Sequence, residues 1–204
     1  EWQAIQDALA GLTADGKFVL ERLSAPTLAG LQERLLGEPV HILHFVGHGI
    51  FDAASQAGCL ALEDARGRSH LVRGEQLAAL LRNHDRLRLA YLNACEGALA
   101  SGQPVFTGLA QTLVREGVPA AVAMQAEISD PGAIALARAF YSALAAGRPV
   151  DASLTQARAA LSAADSLEWA IPVLFSRSPD NRLFDIRAVL PTPDCPYPGM
   201  APFS

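Results

Sequence analysis

The chain has 204 residues, half of them hydrophobic, and a formal charge of −5. That length and composition suit one α/β domain whose core needs no disulfide staples. The mild acidity and the scattered Lys and Arg argue against direct contact with nucleic acid or a membrane surface, either of which needs a clustered basic patch.

Cys59, Cys95 and Cys195 are odd in number and far apart, unlike a secreted disulfide framework. No signal-peptide pattern opens the chain, and no uncharged apolar run is long enough to span a bilayer. These features point to a reducing cytoplasm, where a lone thiol stays available for chemistry.

Residues Glu1 to Gly11 read as a helix that Gly11 ends. Lys17 to Leu23 alternates like a strand. Leu28, Leu31, Leu35 and Leu36 recur at helical spacing within Thr27–Leu36, which Gly37 closes. Val40 to Val46 is a buried-strand run that leads into Gly47-His48-Gly49. Phe51 to Arg73 is turn-rich, with Cys59–Glu63 as a hairpin arm. Gly74–Leu81 reads as a helix. Leu87–Leu92 is a second central strand, running into Asn93-Ala94-Cys95, and a glycine-bearing loop through Gly97 and Gly102 follows. Phe106–Arg115 is a helix and Pro119–Met124 a third strand. Asp130-Pro131 opens a long helix to Ala146, with Asp130 at the cap position. A helix over Asp151–Ala163, with Asp151 as candidate cap, and a last strand at Ile171–Phe175 complete the pattern. The proline-rich residues 191–204 read as a linker, and the ends give the chain the look of a module from a longer protein.

Alternating strands and helices imply a doubly wound, mostly parallel sheet flanked by helices. In such sheets chemistry gathers at the carboxyl ends of the strands. His48 falls just past one central strand and Cys95 just past the next. A sulfur nucleophile, an imidazole to manage its proton and backbone N–H donors for an oxyanion are the parts of a thiol protease. A free thiol has a pKa of about 8.5, so a histidine beside it raises the reactive fraction. Gly47 and Gly49 leave the histidine open to a peptide backbone. The N–H groups of Gly49 and Cys95 are the candidate oxyanion donors. His41, His44 and His48 do not have the spacing of a zinc site, and no metal is expected.

The caspase signature, Gln-Ala-Cys followed by Arg, Gln or Gly and then Gly, has its histidine about 50 residues upstream. Asn93-Ala94-Cys95-Glu96-Gly97 keeps three of those five positions, and His48 lies upstream at nearly that distance. The runs His44–Gly49 and Leu92–Gly97, with Val122–Gln125, Ile128–Asp130, Phe140-Tyr141 and Trp169–Leu174, resemble the CHAT family of bacterial caspase-like proteases, relatives of separase. The resemblance covers Glu1 to Arg187. It implies a caspase-haemoglobinase-like fold over 1–190, to which relatives add a first strand ahead of the point where this chain begins. It also implies a His48–Cys95 dyad that cleaves peptide bonds through a thioacyl intermediate without a cofactor.

The resemblance further places Asn93 in the primary specificity pocket, with Glu127 and Asp130 as carboxylates that favour Lys or Arg by charge-assisted pairing. Relatives have Leu-Trp where this chain has Met124-Gln125, which alters the adjoining subsite. Cys195–Phe203 resembles the opening of a STAND-type NTPase module. That implies a protease gated in cis by a sensor ATPase in bacterial signalling or antiphage defence, acting on a protein substrate such as a bacterial gasdermin. A catalytically silent peptide-binding module on the same fold is the alternative.

Overall fold

The computed structural model describes residues 2–16, 18–52, 57–94, 105–164 and 166–186. The linker expected at 191–204 lies outside them. Among the described residues the main sheet has the strand order β1 (Ile42–Gly47), β5 (Leu89–Ala94), β6 (Ala120–Met124) and β7 (Pro172–Ser176). The first three run parallel and β7 returns antiparallel. A second, antiparallel sheet holds β2 (Gly49–Asp52), β3 (Ala57–Glu63) and β4 (Ser69–Arg73) in that order. The mostly parallel α/β architecture expected from the sequence is therefore present.

The helices are α1 (Trp2–Ala14), α2 (Leu28–Leu36), α3 (Gly74–Leu81), α4 (Val105–Arg115), α5 (Asp130–Ala145) and α6 (Val150–Ala163), with a short 3-10 turn at Leu167–Ala170. They cover both faces of the main sheet. Successive side chains on a strand point to opposite faces, and the register puts His44, Tyr91 and Val122 on one face. There Tyr91 meets Phe140 of α5 at 5.4 Å between ring centroids, while α1 and α6 pack on α5. The other face carries Phe45, whose ring lies 6.3 Å from that of Phe106 in α4. The strand β6 is buried along its whole length, as a central strand covered on both sides should be.

Local chemistry explains most boundaries. Thr27 caps α2 by accepting a hydrogen bond from the Gly30 N–H at 2.9 Å. The helix α3 occupies the range its apolar spacing predicts. Four expectations are corrected. The first helix continues past Gly11 to Ala14, since one glycine costs a helix only about 1 kcal/mol. Phe18–Leu23 is not a paired strand: Phe18, Leu20 and Leu23 pack against the core, while Val19 is 93% exposed. The cap of α5 is Ser129, whose hydroxyl accepts from Gly132 N at 3.2 Å, with Asp130 inside the first turn. The residue before α6 is Pro149, and Asp151 sits in its first turn without capping it.

The second sheet meets α4 at a tight contact. An ideal Cβ on Gly49 would lie 2.6 Å from Phe106 Cε2 and 3.0 Å from Val105 Cγ1. Gly49→Ala should therefore overpack the junction and cost about 1–3 kcal/mol. Urea denaturation should show that loss and its partial recovery in Gly49→Ala/Phe106→Leu. Unchanged stability in Gly49→Ala would mean that the junction is loose.

Candidate active site

The strands β1 and β5 are in parallel register from Ile42 opposite Leu89 to Gly47 opposite Ala94. They end at the same level on the carboxyl end of the sheet. His48 follows Gly47 at once, with an exposed side chain. Its backbone carbonyl accepts a hydrogen bond from Ala61 N at 3.0 Å, so β3 holds the histidine's main chain while the imidazole stays open to solvent. Cys95 is the next residue in sequence after Ala94. It lies outside the described residues, together with Gly97, Gly102 and the rest of 95–104.

The described residues that flank that segment in sequence are both held near His48. On one side Ala94 pairs with Gly47. On the other, Val105 and Phe106 open α4 and press on Gly49. Val105 also crowds Gly58, where a Cβ would lie 2.8 Å from the Val105 carbonyl oxygen. Glycines at 49 and 58 thus let the start of α4 approach β2 and β3 more closely than any larger residue allows. At position 49 the glycine therefore serves packing as well as the open backbone expected of an oxyanion donor.

Behind the rim, on the α5 face, lies an aromatic cluster. His44 Nδ1 and Tyr141 Oη share a 3.0 Å hydrogen bond, and the His44 ring stacks 4.5 Å from that of Tyr91. His44 Nε2 and Tyr91 Oη are buried without a hydrogen-bond partner among the described residues. Burial lowers the His44 pKa to about 4 and raises those of both tyrosines. His44 is therefore a neutral structural histidine. Its bond to Tyr141 ties β1 to α5 four residues before His48.

Cys59 is buried on β3. Burial pushes its thiol up, the Asp52 and Glu75 carboxylates add to this, and Arg73 opposes it. Such a thiol stays protonated and inert.

The expected pocket residues do not share one environment. Asn93 is buried near the end of β5, on the same face as Tyr91. Glu127 and Asp130 are both exposed, so the buried carboxylate expected of a pocket for Lys or Arg is supplied by neither. Solvent screens such charges and weakens their selectivity.

The rim holds one buttress that the sequence did not reveal. Glu168 accepts hydrogen bonds from Ser129 N at 2.7 Å and from Ser129 Oγ at 3.1 Å and Ser166 Oγ at 3.2 Å. It sits so close to Gly132 that a Cβ has no room there. Gln125 adds a second tie, donating through Nε2 to the Ala170 carbonyl at 2.6 Å. Together they fasten the 3-10 turn to the loop after β6, and the turn presents Leu167 and Trp169 to solvent. Nothing in the spacing of residues 39 apart announces this pair. Among the described residues no three His, Cys, Asp or Glu side chains stand together as metal ligands, and no helix is long and apolar enough to cross a membrane.

The sheet order, the helices on both faces and the histidine at a strand end define a caspase-like α/β domain. The CHAT domain family model matches residues 3–185, and the chain belongs to that family. No curated protein matches it.

The buried His44 sets a pH dependence. Its folded pKa of about 4 lies below its ordinary 6.5, so between those values the unfolded chain binds the extra proton. Stability is therefore full above about 6.5 and is lost as pH falls toward about 4, by up to about 3 kcal/mol from this group. Chemical denaturation across that range should give a flatter profile for His44→Gln than for wild type. Equal slopes would show that His44 is free to protonate in the folded state.

Proposed function

We propose that this domain is a cysteine endopeptidase that uses Cys95 as nucleophile and His48 as acid and base. The observation that carries the reading is the β1–β5 register, which ends at the Gly47–Ala94 pair, one residue short of His48 on one strand and of Cys95 in the sequence of the other. Membership of a caspase-like, protease-related family supports it. So does the inertness of Cys59, which offers no competing nucleophile on β3.

In this mechanism His48 takes the Cys95 thiol proton, the sulfur attacks the scissile carbonyl carbon and the carbonyl oxygen takes the negative charge. Donors at Gly49 N–H and Cys95 N–H hold that oxyanion. Collapse breaks the C–N bond, and His48 gives a proton to the leaving amine. Water, deprotonated by His48, then attacks the thioester, releases the acid product and restores the thiol. The protein supplies every group, and no cofactor takes part.

Asn93, Glu127 and Asp130 line the primary pocket in this reading. With both carboxylates exposed, a preference for Lys or Arg would be salt-sensitive. The resemblance of Cys195–Phe203 to the start of a STAND-type NTPase supports gating in cis by a sensor ATPase in bacterial defence, with a protein such as a gasdermin as substrate.

Cleavage-site mapping on a proteome-derived peptide mixture tests the dyad. Cys95→Ala and His48→Ala should each lower cleavage by about a thousandfold or more, with unchanged circular dichroism. Turnover retained in both variants would end the proposal.

A further inference from the structure

The end of the sheet opposite the His48 rim carries a second feature. A cleft of about 460 Å³ is lined by Arg88, Gly117, Pro119, Arg177, Ser178, Arg182 and Leu183. Its floor is a product of strand register. Leu89 pairs with Ala120, and Ala120 with Ser176. Arg88, Pro119 and Arg177 are the next residues out on the three strands. Backbone hydrogen bonds continue the ladder through them, from Ala120 N to Arg88 O at 3.2 Å and from Arg177 N to Pro119 O at 3.0 Å. The two arginines are thus based about 10 Å apart, two strand spacings, on one sheet face. The third, Arg182, comes from the loop after β7, which Leu183 pins to the core.

These cations stand out in a chain of net charge −5. None of the three is ion-paired with a described carboxylate. The acids nearby are engaged elsewhere: Glu116 lies 3.9 Å from Arg82 and 3.5 Å from Arg115. Asp180 accepts from Arg182 N at 3.1 Å and from Ser178 Oγ at 3.2 Å. The Asp180 carboxylate is held low mainly by that backbone N–H, and the Arg182 charge contributes. Its charge partly offsets the cluster.

We propose that this cleft docks an acidic peptide segment of a protein partner, through carboxylates gripped by Arg88, Arg177 and Arg182. Guanidinium groups bind carboxylates bidentately. Alternate side chains of an extended segment lie about 7 Å apart, within reach of two arms based about 10 Å apart. The described lining has no aromatic ring to hold a nucleobase. Three cations on an acidic domain are too few for nucleic acid. The cleft lies at the far end of the sheet from His48, so an occupant can be held without blocking a substrate at that rim. Its existence does not depend on the catalytic reading.

Fluorescence anisotropy of a labelled hexaglutamate peptide against the full chain tests this. Binding should be saturable at low salt and lost by about 0.5 M NaCl. Arg88→Ala/Arg177→Ala should weaken it about tenfold, while Arg22→Ala, an exposed arginine elsewhere, should not. Thermal melts of each variant report folding. Cys95→Ala should bind like wild type, which separates this proposal from the protease reading. Absence of saturable binding, or equal binding by the double variant, would overturn the proposal. So would ATP binding more tightly than the peptide with the same arginine dependence, since that would assign the cleft to a nucleotide.

Discussion

The parallel pairing of β1 with β5 is the constraint on which the rest of this domain depends. Parallel strands share direction, so their carboxyl ends arrive at one rim, and a register that closes on Gly47 and Ala94 brings β1 and β5 to that rim together, with His48 next on β1. A shift of one residue would turn every side chain of β1 to the other face. His44 would then leave Tyr91 and Tyr141, and Phe45 would leave Phe106. The buried pairs on both faces therefore keep the register, and the register keeps the site.

The packing on the two faces does different work. On one face the start of α4 presses into Gly49 and Gly58, on the strands that follow His48. On the other, the His44–Tyr141 hydrogen bond ties β1 to α5. Burying two polar atoms without partners among the described residues, His44 Nε2 and Tyr91 Oη, costs stability. That cost falls directly behind the rim that carries His48. Glu168 and Gln125 then fix the outer wall by bridging the loop after β6 to the 3-10 turn.

Much of this was legible in the sequence because it is local or periodic. The apolar run before Gly47-His48-Gly49, the spacing in Gly74–Leu81 and the start of the long helix near Pro131 each reflect the physics of one element. Failures came where tertiary context decided. Phe18, Leu20 and Leu23 alternate like a strand, yet they serve only to pack a connecting segment. The β2–β3–β4 sheet looks in the sequence like a turn-rich stretch with a single arm, because its short strands carry few apolar alternations. Ser129 rather than Asp130 caps α5, a choice between two adjacent capable residues. The Glu168–Ser129 link joins residues far apart in sequence, and no single-chain pattern encodes it. The arginine cleft is invisible in the sequence for the same reason: Arg88, Arg177 and Arg182 look scattered until strand register aligns them.

The central claim is that Cys95 is a thiol activated by His48, and its reactivity tests that most directly. Treatment with a peptidyl chloromethyl ketone followed by peptide mass mapping should find the adduct on Cys95, with Cys59 unmodified. The modification rate should fall in His48→Ala. Modification of Cys59 at a similar rate, or a Cys95 rate indifferent to His48, would contradict the account.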